Sequence, residues 1–293
     1  MNELKAKAAI EVIRPINCLM GSLTVIIGVL NTRKEVPLLN LILNLIIGVL
    51  TYILIAGSGM VINDIYDVEI DRINRPERPI PRGDLTLKEA KYLYLGIMFI
   101  GILLSIFHSW LLNLGFINIV VAIFFALIGW LYAAWGKKSG FIGNIIVSVS
   151  FSIGLLYGAI LNGYNVPLYI YYFFLTSFFL LLAREIVKGC EDIEGDKREG
   201  VKTLAITIGI QKALYVSIVC DVLAVIFFVL PIFTNIINLW AFIISMLFGL
   251  AVVMLALGLS LICDLEKKSF SRISLLLKIG AFLGLLAFVF ASI

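Results

Sequence analysis

The chain is short of charge. Only 14% of its 293 residues are Asp, Glu, Lys or Arg, against about 25% in an ordinary soluble domain, which excludes a surface made for water all round. It has one histidine, His108, and four cysteines, at 18, 190, 220 and 263, none in CxxC or Cys/His spacing. Zinc and disulfide frameworks are therefore not indicated, and the cysteines read as buried apolar thiols. The start, MNELKAKAAIEVIRP, is charged and is followed by no small-residue cleavage site, so no removable leader is expected.

What the chain has is apolar length: 61% hydrophobic residues and a mean hydropathy of +1.08. Runs of the length that crosses a bilayer as a helix, about 20 residues, fall at 9–30, 39–62, 90–112, 114–135, 141–161, 167–187, 212–232, 236–262 and 270–292. Membrane strands would alternate over about 10 residues, and these runs do not. Lipid leaves a continuous span only the helix for satisfying its backbone. The expected fold class is an all-α integral membrane protein with nine transmembrane helices, forming a single domain over 1–293.

Lysine and arginine concentrate on one side of these spans. The connections after runs two, four, six and eight carry Arg72, Arg75, Arg78 and Arg82, then Lys137 and Lys138, then Lys188 and Lys197, then Lys267 and Lys268. Those after runs three, five and seven carry none, and only Arg33 and Lys34 break the pattern. The positive-inside rule then puts the N-terminus in the cytoplasm and Ile293 outside. Both long polar connections, about 64–88 and 188–211, fall on the cytoplasmic face. His108, at an outer helix end, reads as an interface residue remote from the acids.

The acids cluster in those two connections. In NDIYDVEID, residues 63–71, Asn63, Asp67 and Asp71 follow at i, i+4, i+8, one stripe if the second helix runs past the membrane surface, with Asp64 one position round. In REIVKGCEDIEGDKREG, residues 184–200, Asp192 and Asp196 repeat the four-residue step, with Glu185 on nearly the same face. Carboxylates gathered this way repel unless a cation lies between them. All-oxygen ligands suit a hard ion such as Mg²⁺, which keeps waters and bridges carboxylates to a substrate phosphate. The interleaved cations suit the same anion. Read from its residues alone, the chain handles a phosphorylated lipid, and no nucleic-acid partner is expected.

The motifs resemble those of the UbiA superfamily of intramembrane prenyltransferases. NDIYDVEID matches that family's NDxxDxxxD, INRPERPIPRG is similar to the run that follows it, and DIEGD matches the second DxxxD. RPIN at 14–17 and GN at 143–144 extend the likeness along the chain. Within the superfamily, REIVKGCEDIEGDKREGVKTL most resembles the archaeal digeranylgeranylglyceryl phosphate synthases, apart from Gly189, where their pattern has aspartate. That departure leaves Glu185, Glu191 or water as the compensating ligand.

The resemblance implies a bundle around a central cavity, capped on the cytoplasmic side by the two long connections. It implies Asn63, Asp67, Asp192 and Asp196 as holders of two Mg²⁺ ions on a polyprenyl diphosphate, with Asp64 and Asp71 in close support. The implied reaction joins a geranylgeranyl group to the hydroxyl of 3-O-geranylgeranylglyceryl 1-phosphate, with Asp64, Asp71 or the departing diphosphate accepting the proton. Arg14, Asn17, Arg72, Arg78, Arg82, Lys137, Lys138 and Lys188 are the candidate contacts to the substrate phosphates. The aromatics of 168–179 either pack or shield a carbocation. An aromatic or porphyrin-derived acceptor and a transporter with cytoplasmic acidic gates are the rival readings.

Overall fold

The structure is a computed structural model. It describes residues 3–198 and 200–293, with the side chains of Asn74 and Arg198 outside that description. Its elements are α1 (Glu3–Ile13), α2 (Pro15–Asn31), α3 (Leu38–Tyr66), α4 (Val68–Asn74), α5 (Leu87–Leu112), α6 (Ile117–Ala134), α7 (Phe141–Leu161), α8 (Leu168–Glu191), α9 (Ile193–Arg198), α10 (Leu204–Ile208), α11 (Ile210–Val229), α12 (Leu239–Ile262) and α13 (Lys267–Phe290). Two single 3₁₀ turns, at Gly136–Ser139 and Leu230–Phe233, complete the regular structure. Eight helices are each long and apolar enough to span a bilayer, and α1 with α2 make a ninth if that bent pair is one span. Large apolar side chains such as Trp110, Phe116 and Trp240 face outward, as a lipid-facing surface requires.

The first apolar run is not the single helix expected over 9–30. It breaks at Arg14, whose backbone is left-handed at φ 55, and the two pieces meet at 45°. Pro15 explains the position: it lacks the N–H that would continue the helix and disfavours helical geometry in the residue before it. Leucine 4 and Ile10 are exposed, while Ala8 and Val12 pack against Val61, Val68, Ile80 and Ala90. Helix α1 is thereby laid over the connection that follows α3.

Six helices, α2, α3, α6, α7, α8 and α13, supply the walls of a cavity, and α5, α11 and α12 pack outside them against α3, α8 and α13. Close approach inside the ring depends on missing side chains. A Cβ on Gly28 would lie 2.2 Å from the Leu155 carbonyl oxygen, and one on Gly158 would lie 2.1 Å from that of Val25. This is the small-residue packing by which membrane helices gain contact without a hydrophobic driving force.

A polar knot ties the far ends of the ring. Asn44 Nδ2 donates to the Leu161 carbonyl (2.9 Å) and to Asn162 Oδ1 (2.9 Å), and Asn162 Nδ2 donates to Val29 O (2.8 Å) and Thr32 Oγ1 (2.9 Å). His108 Nε2 lies 2.9 Å from Asn44 Oδ1 and the side chain is fully buried. It is therefore a bundle residue and not an interface one, because a buried amide oxygen needs a donor. The aromatic stretch 168–179 also resolves to packing: Phe173 stacks on Phe288 at 3.9 Å inside a core with Tyr169 and Phe242.

Asn44→Leu keeps the volume but strands Asn162 and His108 without their partner. It should lower unfolding stability by about 1–3 kcal/mol, read as an earlier melt by circular dichroism in detergent.

Candidate active site

Each acidic motif sits where a long membrane helix ends and a short one begins. Asp67 caps α3 with φ −88 and ψ 1, and its N–H still bonds Asn63 O at 3.0 Å; the Asp71 N–H bonds Asp67 O at 2.8 Å. Asp192 caps α8 with φ −102 and ψ 18, its N–H bonds Lys188 O at 3.0 Å, and the Asp196 N–H bonds Asp192 O at 2.9 Å. The helical bond pattern thus passes through each cap, so the i, i+4 stripe survives it. Two copies of one local design lie four spans apart in sequence.

Both stripes line the same cavity, of about 1470 Å³: Asn63, Asp67 and Asp71 from one side, Asp192 and Asp196 from the other. From Asp67 to Thr51 on α3, and from Asp192 to Thr176 on α8, it descends sixteen residues on each wall, or ~24 Å of helix. Below the acids the walls are largely apolar, with Ile55, Phe125, Ile153, Leu180 and Phe282 among them. Tyr132 on α6 also lines the cavity.

The first stripe is held by cations. Asn63 Nδ2 donates to Asp67 Oδ2 (2.8 Å), and Lys137 Nζ donates to the same oxygen (2.9 Å). Arg78 pairs with Asp71 and with Asp64 Oδ1 (3.2 Å), and Arg14 pairs with that same Asp64 oxygen. Lys137 reaches the site because the α6–α7 connection is stitched to the second long connection. A Cβ on Gly140, at φ 64, would lie 1.8 Å from the Lys202 carbonyl oxygen, and the Lys202 N–H bonds Lys138 O at 3.3 Å.

Several of the expected substrate contacts are turned elsewhere. Asp64 is buried and does not line the cavity, so its carboxylate anchors two arginines and is not presented to a substrate. Arg72 pairs with Glu69 in the exposed face of α4; one residue beyond Asp71, it is rotated by about 100° from the stripe. Arg82 is spent on Asp84 and Glu11, and Lys138 is exposed and outside the cavity lining. Arg14, Asn17, Arg78, Lys137 and Lys188 do line it. So do four cations that were not among the expected contacts: Arg75, Arg184, Lys267 and Lys278. Lys278 had a visible signal, since it is the lone charge in ISLLLKIGAFLGLLAFVFASI.

The donor set suits a hard ion. Among the described residues, no three His, Cys, Asp or Glu side chains converge into a metal cluster by themselves, and the acids that face the cavity offer oxygen only. Such a set fits an ion that completes its shell with water and substrate phosphate. At the departure from the expected pattern, Gly189 is buried and a Cβ there would meet Thr203 Cβ at 3.4 Å, ordinary contact. Thr203 Oγ1 is buried without a partner. Of the candidate substitutes, Glu185 is paired with Arg184 (2.8 Å) and Glu191 accepts from Ser271, and both line the cavity.

The sequence profile of the UbiA prenyltransferase family matches residues 22–291. The chain belongs to that family. It is 34% identical to the digeranylgeranylglyceryl phosphate synthase of Korarchaeum cryptofilum over 96% of both chains. Against the enzyme of the same name from Methanocaldococcus jannaschii it is 36% identical, over 99% of this chain and 97% of the relative. A solved structure from work on digeranylgeranylglyceryl phosphate synthase in membranes superposes with a TM-score of 0.81 at 36% identity, covering 98% of each chain. A UbiA homologue from Archaeoglobus fulgidus bound to GPP and Mg²⁺ superposes with a TM-score of 0.70 at 17% identity, over 96% of this chain and 99% of that one, a likeness of fold. This UbiA family member is thus an integral membrane prenyltransferase.

At Gly189 a Cβ meets only ordinary contact with Thr203, and a carboxylate there would offer the Thr203 hydroxyl an acceptor in Gly189→Asp. The variant should fold and bind Mg²⁺ more tightly than the parent, measured by titrating the metal against prenyl transfer and against thermal protection in the absence of donor.

Proposed function

We propose that this chain transfers a geranylgeranyl group from geranylgeranyl diphosphate to the free hydroxyl of 3-O-geranylgeranylglyceryl 1-phosphate, forming the second ether bond of an archaeal lipid. The observation that carries the reading is that two aspartate stripes, from α3–α4 and from α8–α9, line one cavity that continues into apolar walls. The identity of 34–36% to digeranylgeranylglyceryl phosphate synthases over nearly whole chains supports the acceptor. The nine spans act as a single domain around that cavity, with the connections 64–88 and 188–211 as a cytoplasmic cap and the C-terminus outside.

On this reading Asn63, Asp67, Asp192 and Asp196 hold Mg²⁺, two ions by the symmetry of the two motifs. Bound there, the metal neutralises the diphosphate leaving group as the allylic C–O bond breaks. The electron pair leaves with the diphosphate, the acceptor hydroxyl oxygen bonds the allylic carbon, and its proton passes to Asp71 or to the diphosphate. Asp64 takes no part in that transfer; it fixes Arg14 and Arg78 around the site. Lys137 and Lys188 contribute preorganised positive charge where negative charge develops. The apolar walls keep water from capturing the carbocation before the acceptor does.

Purified protein should move label from geranylgeranyl diphosphate to geranylgeranylglyceryl phosphate only when Mg²⁺ is present, and EDTA should stop it. Asp67→Ala and Asp196→Ala should each lose about a hundredfold or more in rate, while Lys34→Ala, on the far face, should keep full rate. Transfer to 4-hydroxybenzoate alone would move the acceptor to an aromatic ring, and full activity of Asp67→Ala would remove the metal assignment.

A further inference from the structure

Lys278 is a charged residue inside a membrane-spanning helix. It stands eleven residues beyond Lys267, the start of α13, and six beyond Arg272, the last cation before it, or ~16 Å and ~9 Å along the axis. That is further than a four-carbon stem spans to reach the membrane surface. Its side chain lines the cavity and has no hydrogen bond or ion pair among the described residues. Charges at such depth are costly and mark substrate or ion paths.

Two contacts fix what lies opposite. Ser271 on α13 donates to Glu191 on α8, and Phe288 stacks on Phe173. Two antiparallel helices registered at both points place Lys278 level with Ala183 and Arg184. Arg184 also lines the cavity. Its Nη1 donates to Glu185 (2.8 Å), and its Nε is buried with no acceptor. This pair forms a cationic layer eight residues below Asp192, ~12 Å along α8. On the opposite wall Arg14 is paired with Asp64, Arg78 with Asp64 and Asp71, and Lys137 with Asp67; Arg75, beyond Asp71 at the mouth, has no ion pair among the described residues.

We propose that Lys278 and Arg184 bind the phosphate of the acceptor lipid, an assignment that rests on the function proposed above. The diphosphate of the donor belongs at the aspartates. The acceptor carries its monophosphate on the carbon next to the one bearing the reacting hydroxyl, so its phosphate must bind within a few bonds of the reacting carbon but apart from the metals. A layer below the motifs, with a free ammonium and an unsatisfied guanidinium nitrogen, meets that requirement. The pair makes the site selective for a phosphorylated lipid over its alcohol.

The test compares binding of 3-O-geranylgeranylglyceryl 1-phosphate and of geranylgeranylglycerol to the purified full-length protein in detergent, without metal or donor, together with KM for each substrate. Wild type should prefer the phosphate. Lys278→Gln should weaken binding of the phosphate about tenfold or more, leave binding of the alcohol and KM for geranylgeranyl diphosphate unchanged, and be rescued by Lys278→Arg. Retained binding of the alcohol shows that the variant is folded. Undiminished phosphate preference in Lys278→Gln, or a rise in donor KM in its place, overturns the assignment while wild-type diether formation leaves the function standing. A wild type that prenylates only 4-hydroxybenzoate overturns both.

Discussion

The acidic end of the bundle depends on one set of ion pairs. Asp64, buried at the end of α3, receives Arg14 from the break between α1 and α2 and Arg78 from the connection after α4, and Arg78 continues to Asp71. A carboxylate carried into the membrane face is tolerable only with its charge answered. Answering it here pulls three separate segments onto one point. Pro15 sets the break at Arg14, and the pairs fix how α1 then lies across the following connection and how the stripe is held. The apolar contacts of Ala8 and Val12 beneath α1 hold that helix against the same segments.

The same pairing prepares the site for exchange. Asp67 is held between Asn63 and Lys137, at 2.8 and 2.9 Å, a geometry in which the carboxylate is already ordered before a metal reaches it. On the proposed function, a divalent ion at Asp67 would displace the Lys137 ammonium, and Lys137 would stay within reach of the phosphate the ion brings. Preorganisation of this kind lowers the reorganisation needed at the moment of reaction. The stitch at Gly140, where no Cβ fits against the Lys202 carbonyl, makes the position of Lys137 depend on the second connection. The two motifs are thereby coupled through the backbone as well as through the cavity.

Much of this was legible in the sequence because lipid enforces it. The spans were readable since a helix in a membrane must be apolar and long, and 141–161 and 236–262 fall within a few residues of α7 and α12. The aspartate stripes were readable since four residues bring side chains to one face, and the helical bonds run through Asp67 and Asp192. The sequence was less direct about cations. Arg72 and Arg82 sit close to the first motif in the chain yet point away, because helical rotation and the competing acids Glu69 and Asp84 decide direction, and Lys138, next to Lys137, stays outside the cavity lining. The break at Arg14 was written in the Arg-Pro pair, but the hydropathy of its neighbours concealed it. Nothing in the local sequence said that His108 would close onto Asn44 from another helix.

The likeness of the two motifs makes their difference in charge informative. Backbone geometry repeats at Asp67 and Asp192, so both offer a carboxylate pair at the mouth of the cavity. Around the first pair Arg14, Arg78 and Lys137 each have a carboxylate and Arg75 has none, whereas around the second Arg184 is paired with Glu185, and Lys188 and, two turns deeper, Lys278 have none among the described residues. Unanswered positive charge lining a cavity with apolar walls attracts an anion. On the function proposed above, Lys188 and Lys278 would draw the acceptor phosphate toward the α8–α13 wall and leave the first stripe to the metal. On that proposal the asymmetry would give two anionic substrates different places in a site whose carboxylates alone would not tell them apart.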